Sequence, residues 1–197
     1  MRTHVSRTVS SCFAVLRQLR SIRRFVSPVA LQSLVVLLVL SRLDYGNATL
    51  AGLPSNQLDR LQSVLNAAAR LVFSARKYEH VTPLLRDLHW LLVPQRVEYK
   101  LAMLVYRCLH GLAPSYLADD LQLVANLESR QQLRSSSPDA LVVPPTRLCT
   151  VGHRAFPVSA ARVWNGLPTH VTSSLHIFKR HLKTFLLSRS FPSAASQ

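Results

Sequence analysis

The chain has 197 residues, of which 48% are hydrophobic and only 7% are aromatic. This content supports a buried core built mainly of leucine, valine and alanine, and it excludes a globally disordered chain. The formal net charge is +15 at pH 7 and the sequence isoelectric point is near 11.2, which favours a polyanionic partner. The alternative is a basic remnant without a partner, whose charge was inherited from a larger protein.

The basic charge is concentrated at the two ends of the chain. All nine carboxylates lie between Asp44 and Asp139, so the first 43 and the last 58 residues contain no acidic side chain. Three cysteines without paired spacing indicate a reducing compartment rather than a disulfide framework. The sequence contains neither C-x-x-C nor H-E-x-x-H, so it predicts no metal site and no cofactor.

Apolar residues recur at helical spacing through the first 124 residues. Ser55 and Thr82 are the expected N-caps of two of these helices, and Pro114 begins a brief helical turn. The expected helices run over Thr8–Phe25, Pro28–Leu43, Asn56–Phe73, Pro83–Trp90 and Pro94–Leu109.

The second half differs in composition. Residues 125–138 are rich in Arg, Gln, Ser and Asn, which is typical of a linker or an exposed loop. The elements expected after it are short strands at Leu141–Val143 and Leu148–Val151, a helix from Ser159 to Trp164, and a last helix starting at Ser173 or Ser174. The predicted fold is mainly α: a helical bundle over 1–124, the linker, a small α+β region over 139–191, and a disordered tail over 192–197.

One segment permits a membrane interpretation. Residues 25–41 are uncharged and include the unbroken apolar run from Leu34 to Leu40. A spanning helix needs about 20 mainly apolar residues, and Ser27, Pro28 and Gln32 interrupt this one. A buried core helix is therefore favoured and a membrane partner is not expected. A small membrane-associated protein that uses residues 25–41 is the alternative.

Several motifs resemble one protein family. The chain reads S-R-L-D-Y-G at 41–46, H-V-T-P-L-L-R-D-L-H-W at 80–90, P-Q-R-V-E-Y-K-L-A-M-L-V-Y-R-C-L-H-G at 94–111 and R-V-W-N-G-L-P at 162–168. These stretches resemble the region after the polymerase core in non-LTR retrotransposon reverse transcriptases of the jockey-like and related LINE kinds. The resemblance runs from about His4 to Phe191. Gly46, where relatives often have cysteine, and the very apolar run at 35–39 are departures from the family pattern.

The resemblance implies a C-terminal fragment of a mobile-element RNA-directed DNA polymerase. The polymerase fingers and palm and the endonuclease domain would lie outside this chain, so the isolated chain is expected not to be an enzyme. Residues 1–124 would correspond to thumb-like helices that hold the template–primer duplex by its backbone. The expected partners are RNA or an RNA–DNA duplex and the remainder of the retrotransposon polyprotein, in the cytoplasm or the nucleus.

The basic ends carry the candidate binding residues. Arginine contacts to phosphates are independent of sequence and sensitive to salt, whereas the alternative for each position is a solvated helix face. The predicted nucleic-acid-binding residues are Arg17, Arg20, Arg23 and Arg24 near the N-terminus, and Lys179, Arg180 and Lys183 near the C-terminus.

The pair Asp119-Asp120 is similar to the metal-binding x-D-D signature of reverse transcriptases. The pair follows G-L-A-P in helical rather than hairpin context, so a solvated helix end is favoured and no catalytic residue is predicted. Asp44 is expected to form a structural ion pair with Arg42 or to cap the next turn. Residues His89, Trp90 and Trp164 are expected to be packing or rim residues rather than ligand contacts.

Overall fold

A computed structural model of the chain describes residues 1–126, 140–147, 152–168 and 175–192. These residues are mainly helical, as the sequence predicts, and they contain one isolated antiparallel bridge but no longer strand. They fall into two compact units. Unit 1 comprises Met1–Asn47, Leu53–Arg96 and Leu186–Gln197, and unit 2 comprises Ala48–Gly52 and Val97–Phe185.

Helix α1 spans Arg2–Ile22 and begins six residues before the predicted Thr8. Its buried side extends the predicted stripe back to Val5, which is fully buried together with Cys12. A short 3-10 helix at Arg23–Phe25 follows. The side chain of Ser27 then accepts a hydrogen bond from the backbone N–H of Ala30 at 3.3 Å, which caps the next helix at its N-terminus.

The predicted second helix is interrupted by a π turn. It consists of α2 at Pro28–Val35, the π turn at Val36–Leu40 and α3 at Ser41–Asp44. The buried residues of this segment face α1 and α4, and they are Leu31, Val35, Val39, Leu40 and Leu43. The remaining side of the segment stays exposed to solvent, so only half of its apolar surface contributes to the core.

Helix α4 spans Ser55–Phe73 and packs against α1. Its N-cap is Pro54, so the prediction that Ser55 is the cap is wrong, and no side chain caps this end. Helix α5 spans Thr82–Asp87, where Val81 is the N-cap and Thr82 is already helical. Both serine and threonine therefore sit one position too late to accept a bond from the helix N-terminus.

Two polar side chains hold the first turn of α6, which spans Val93–Leu109. The amide oxygen of Gln62 on α4 accepts a hydrogen bond from the backbone N–H of Val93 at 2.9 Å. Asp44 receives three hydrogen bonds from the guanidinium of Arg96: Nε to Oδ1 at 3.0 Å, Nη2 to Oδ1 at 2.7 Å and Nη2 to Oδ2 at 2.8 Å. The buried amide of Asn47 adds a fourth at 3.1 Å.

The core of unit 2 contains a cluster of aromatic rings. Phe178 is fully buried on helix α9, which spans Leu175–Ser190. Its ring stacks on Tyr106 of α6 with centroids 4.5 Å apart, and its centroid lies 5.9 Å from that of Trp164. Helices α7 at Ser115–Ala118 and α8 at Phe156–Asn165 lie between α6 and α9 in the chain, and Trp164 belongs to α8. Leu182 and Leu186 continue the buried face of α9 that the sequence predicts.

The predicted cap of α8 is wrong. Helix α8 begins at Phe156, three residues before Ser159, with Pro157 in its first turn. Ser159 is buried inside the helix, where its hydroxyl donates to the carbonyls of Ala155 at 3.1 Å and Phe156 at 3.3 Å.

The segment predicted as the first C-terminal strand forms only a bridge. Leu141 pairs with Leu123, and the amide of Asn165 takes the place of a second strand: its Nδ2 donates to the Leu141 carbonyl and its Oδ1 accepts from the Leu141 N–H, both at 2.8 Å. Pro144 and Pro145 follow, and neither has an N–H to extend a ladder. The second predicted strand, at 148–151, lies outside the described residues, as does the predicted start of the last helix.

The division into units passes through α6 after Arg96 and through α9 after Phe185. The predicted linker at 125–138 falls largely outside the described residues. The predicted domain limits therefore stay a prediction.

We predict that Arg96→Met destabilises the protein by about 2–3 kcal/mol. The pair is mostly shielded, with side-chain exposures of 15% for Arg96 and 25% for Asp44, and removal of one partner leaves the carboxylate desolvated without its donors. Urea unfolding followed by circular dichroism measures the loss. The control is Asp59→Asn, an exposed carboxylate on α4, which should change stability by no more than about 0.5 kcal/mol. Equal losses in both variants would contradict the assigned role.

The buried thiols of Cys12 and Cys108 should react slowly with thiol reagents in the folded protein. Burial raises the pKa of the Cys12 and Cys108 thiols above the ordinary value for cysteine, and the nearby charge of Arg42 offsets part of this effect at Cys12. Because the thiolate is the reactive form, raised pKa values delay labelling to higher pH than for a free thiol. In a Cys149→Ser variant, native labelling by a disulfide reagent at pH 8 should be about 100-fold slower than in concentrated urea. Equal rates would refute the burial.

Candidate nucleic-acid interface

The N-terminal basic residues lie on the solvent side of α1. The buried stripe of Cys12, Leu16 and Leu19 faces the core. Arg17 and Arg20 are exposed and stand off this stripe, as the sequence predicts. No carboxylate precedes Asp44, so no acidic residue of α1 or α2 is available to neutralise these guanidinium groups.

The structure distinguishes the two arginines that follow. Both belong to the 3-10 helix after α1, but Arg24 is exposed and Arg23 is only partly so. At helical spacing Arg23 falls on the side of the buried stripe, whereas Arg24 falls near Arg17 and Arg20. The N-terminal candidate surface therefore consists of Arg17, Arg20 and Arg24, with Arg23 at its margin. Their side chains make no hydrogen bond or ion pair to another described residue.

The C-terminal basic residues form a second candidate surface on α9. Lys179, Arg180 and Lys183 are all exposed, while Phe178 and Leu182 on the other side of the helix are fully buried. The spacing of 179 and 183 places these two lysines one turn apart on the same side. The N-terminal candidate surface belongs to unit 1 and the C-terminal candidate surface belongs to unit 2.

Phe25 is a residue that the sequence interpretation missed. It directly follows Arg23 and Arg24 and is 88% exposed. Its neighbour along the chain, Val26, has extended backbone. A signal for this exposure exists in the sequence, because Phe25 falls on the opposite side of the helical period from the buried stripe of α1.

The pair Asp119-Asp120 has the context predicted for it. Helix α7 ends at Ala118, and the backbone N–H of Asp119 donates to the Ser115 carbonyl at 2.8 Å. Both aspartates are exposed. Their neighbourhood is therefore a helix end rather than a hairpin between strands. Among the described residues, no group of three or more His, Cys, Asp or Glu side chains comes together in a way that could hold a metal ion.

Four other residues considered in the sequence analysis lie in packed or ion-paired positions or at the rim: Trp90, Trp164, His89 and Asp44. Trp90 and Trp164 are buried, as expected for packing residues. His89 is exposed with φ of 53° just after α5, so it lies at the rim. Asp44 does form an ion pair, but its partner is Arg96 rather than Arg42. Arg42 instead donates to the hydroxyl of Ser11 on α1.

Within the described part of the chain, no helix is long and apolar enough to cross a membrane. Comparisons with protein-family models, with curated proteins and with solved structures gave no match. The assignment of function accordingly depends on the residues and their geometry.

Proposed function

We propose that this chain is a non-catalytic, nucleic-acid-binding part of a mobile-element RNA-directed DNA polymerase. It binds RNA or an RNA–DNA duplex through the phosphate backbone. The observation that carries the proposal is the exposure of Arg17, Arg20 and Arg24 on α1 and the 3-10 helix after it, which contain no acidic residue. The resemblance of 41–111 to the region after the polymerase core of LINE-type reverse transcriptases supports it.

The charge pattern supports phosphate contacts rather than base reading. A guanidinium presents several donors in a planar fork that matches two phosphate oxygens. Arginines spaced at 17, 20 and 24 follow one side of the helix, so they can contact successive phosphates. They offer no matched set of acceptors and donors for base edges, and such contacts position a protein without reading sequence.

The thumb-like assignment belongs to the same proposal. In the resembled proteins, helices just after the palm hold the template–primer duplex by its backbone. Helices α1 to α6 correspond in chain order to that region. We also propose that the C-terminal region is a small α+β region with short strands.

We expect weak, sequence-independent binding of RNA and of RNA–DNA duplexes. If about four to six phosphates are neutralised, log affinity should fall against log salt with a slope of roughly −3 to −5. Arg17→Glu, Arg20→Glu and Arg24→Glu together should weaken binding to every sequence alike and flatten the slope. Fluorescence anisotropy with labelled oligonucleotides of several sequences, across a salt series, measures both quantities.

The matched control reverses three exposed arginines elsewhere: Arg107→Glu, Arg147→Glu and Arg162→Glu. Both triple variants lower the formal net charge of +15 by six, so only the position of the charge differs. The control should retain most of the affinity. Equal losses would show that net charge, rather than the α1 face, governs binding. A wild-type chain that binds nothing even at low salt would favour an inert translated remnant.

The isolated chain should not extend a primer. Asp119 and Asp120 are exposed at a helix end, whereas polymerase carboxylates share two metal ions held at a fixed spacing. The test is primer extension on an RNA template with purified chain, Mg²⁺ and deoxynucleotides. Extension that is abolished by Asp119→Asn would overturn the non-catalytic assignment. Extension that survives this variant would point to a contaminating polymerase.

A further inference from the structure

Large apolar side chains are exposed along one short stretch of unit 1. Phe25 is 88% exposed, Val29 76% and Leu37 66%. We call these three residues, with the less exposed Val36 and Leu38 beside them, the exposed apolar face. Large apolar side chains exposed together in one segment mark an interaction site more often than scattered single residues do.

This side of the helix is mainly apolar, apart from the exposed Gln32. Val29, Ser33, Leu37 and Ser41 recur every four residues and so follow one another along the helix. The Ser33 hydroxyl donates to the Val29 carbonyl at 3.0 Å, and the Ser41 hydroxyl donates to the Leu37 carbonyl. Because both hydroxyls already donate hydrogen bonds within the helix, burial of Val29, Ser33, Leu37 and Ser41 would not leave an unsatisfied hydroxyl group.

The opposite side of the same helix is packed inside unit 1. Leu31, Val35 and Val39 are buried, and α2 packs against α1 and α4. The segment therefore lies on the surface of unit 1 with one apolar side packed and the other in solvent. Such a helix can enter an interface lengthwise but is not free to span a bilayer, in accord with the absence of a spanning helix among the described residues.

The charged residues beside the exposed apolar face indicate which kind of ligand it can bind. Arg20 and Arg24 are exposed just before it, and no carboxylate occurs in the first 43 residues. A second copy of the chain packed face to face would bring these like charges together, which is unfavourable. Nucleic acid would satisfy the arginines but would leave Val29 and Leu37 in water. An anionic lipid surface satisfies both groups, since it offers phosphates beside acyl chains.

We propose that the exposed apolar face is an interfacial anchor for anionic phospholipid membranes. Phe25, Val29 and Leu37 enter the boundary between headgroups and acyl chains. Arg20 and Arg24 contact lipid phosphates at the end of the helix. This inference does not depend on nucleic-acid binding, and the apolar side chains separate the two proposals. A variant that loses these side chains and keeps every arginine should lose vesicle binding and keep its RNA affinity, whereas reversal of Arg20 and Arg24 should weaken both.

The direct test is co-sedimentation of the full chain with lipid vesicles. We expect binding to vesicles of phosphatidylcholine that contain about 30% phosphatidylserine, since anionic leaflets attract basic segments, and much weaker binding to pure phosphatidylcholine. Phe25→Ser, Val29→Ser and Leu37→Ser together should lower vesicle affinity by about 100-fold. The same variant should keep its RNA affinity within about twofold, because it retains every arginine.

The matched control removes exposed apolar groups far along the chain: Leu112→Ser, Tyr116→Ser and Val143→Ser. It should bind vesicles as the wild type does, and circular dichroism should show unchanged helicity in both triple variants. A second measurement uses Phe25→Trp. Its fluorescence should shift to the blue on vesicle addition and be quenched by brominated acyl chains, over the background of the buried Trp90 and Trp164.

Three results would overturn the anchor. Wild-type chain that remains in the supernatant with anionic vesicles excludes it. Equal vesicle affinity of the two triple variants shows that the apolar side chains are not used. Binding to a peptide of alternating Glu and Leu, together with no binding to vesicles, would assign the exposed apolar face to an acidic protein partner instead.

Discussion

The first compact unit depends on the carboxylate of Asp44. This is the first acidic residue of the chain, and seven arginines precede it. It nevertheless pairs with Arg96, 52 residues later, at the first turn of α6. A forked guanidinium that donates to both carboxylate oxygens fixes direction as well as distance, and Asn47 holds the same carboxylate from the other side of the turn. The only acidic side chain in residues 1–58 therefore helps to position α6.

The arginines of α1 and of the 3-10 helix after it have no acidic residue within their own helices. Helix α1 packs against α2 and the π turn through apolar side chains, with Val5 and Cys12 on one side and Val35 and Val39 on the other. The Cys12 thiol also donates to the Val39 carbonyl. Packing of this kind is indifferent to charge, so the guanidinium groups are free to face solvent. Net charge of one sign costs some stability through self-repulsion, and an anionic partner would relieve that repulsion. The same feature thus weakens the isolated fold and favours its complexes.

Much of this fold follows from the sequence, because helices with one buried side have a simple period. The stripe of α1 and the buried face of α9, with Phe178 and Leu182, were predictable in this way. The caps were not, since a cap depends on the backbone of one residue: Pro54 takes the cap position and leaves Ser55 inside the helix. The partner of Asp44 was missed because Arg42 is nearer in sequence, although residues two apart on a helix do not face each other. Bridges such as Leu123 with Leu141 require contacts that local spacing does not encode.

The exposure of Arg17, Arg20 and Arg24 was also predictable from the sequence, but the exposed apolar face was not. The run from Leu34 to Leu40 is apolar on every side, and a sequence pattern cannot say which side the core takes. Packing against α1 and α4 settles this by burying Val35 and Val39 and leaving Leu37 outside. The proposed phosphate and lipid surfaces then share Arg20 and Arg24. A guanidinium that contacts a lipid phosphate cannot at the same time contact a nucleic-acid phosphate in the same place. The two proposed ligands would therefore each lower the affinity for the other by the same factor.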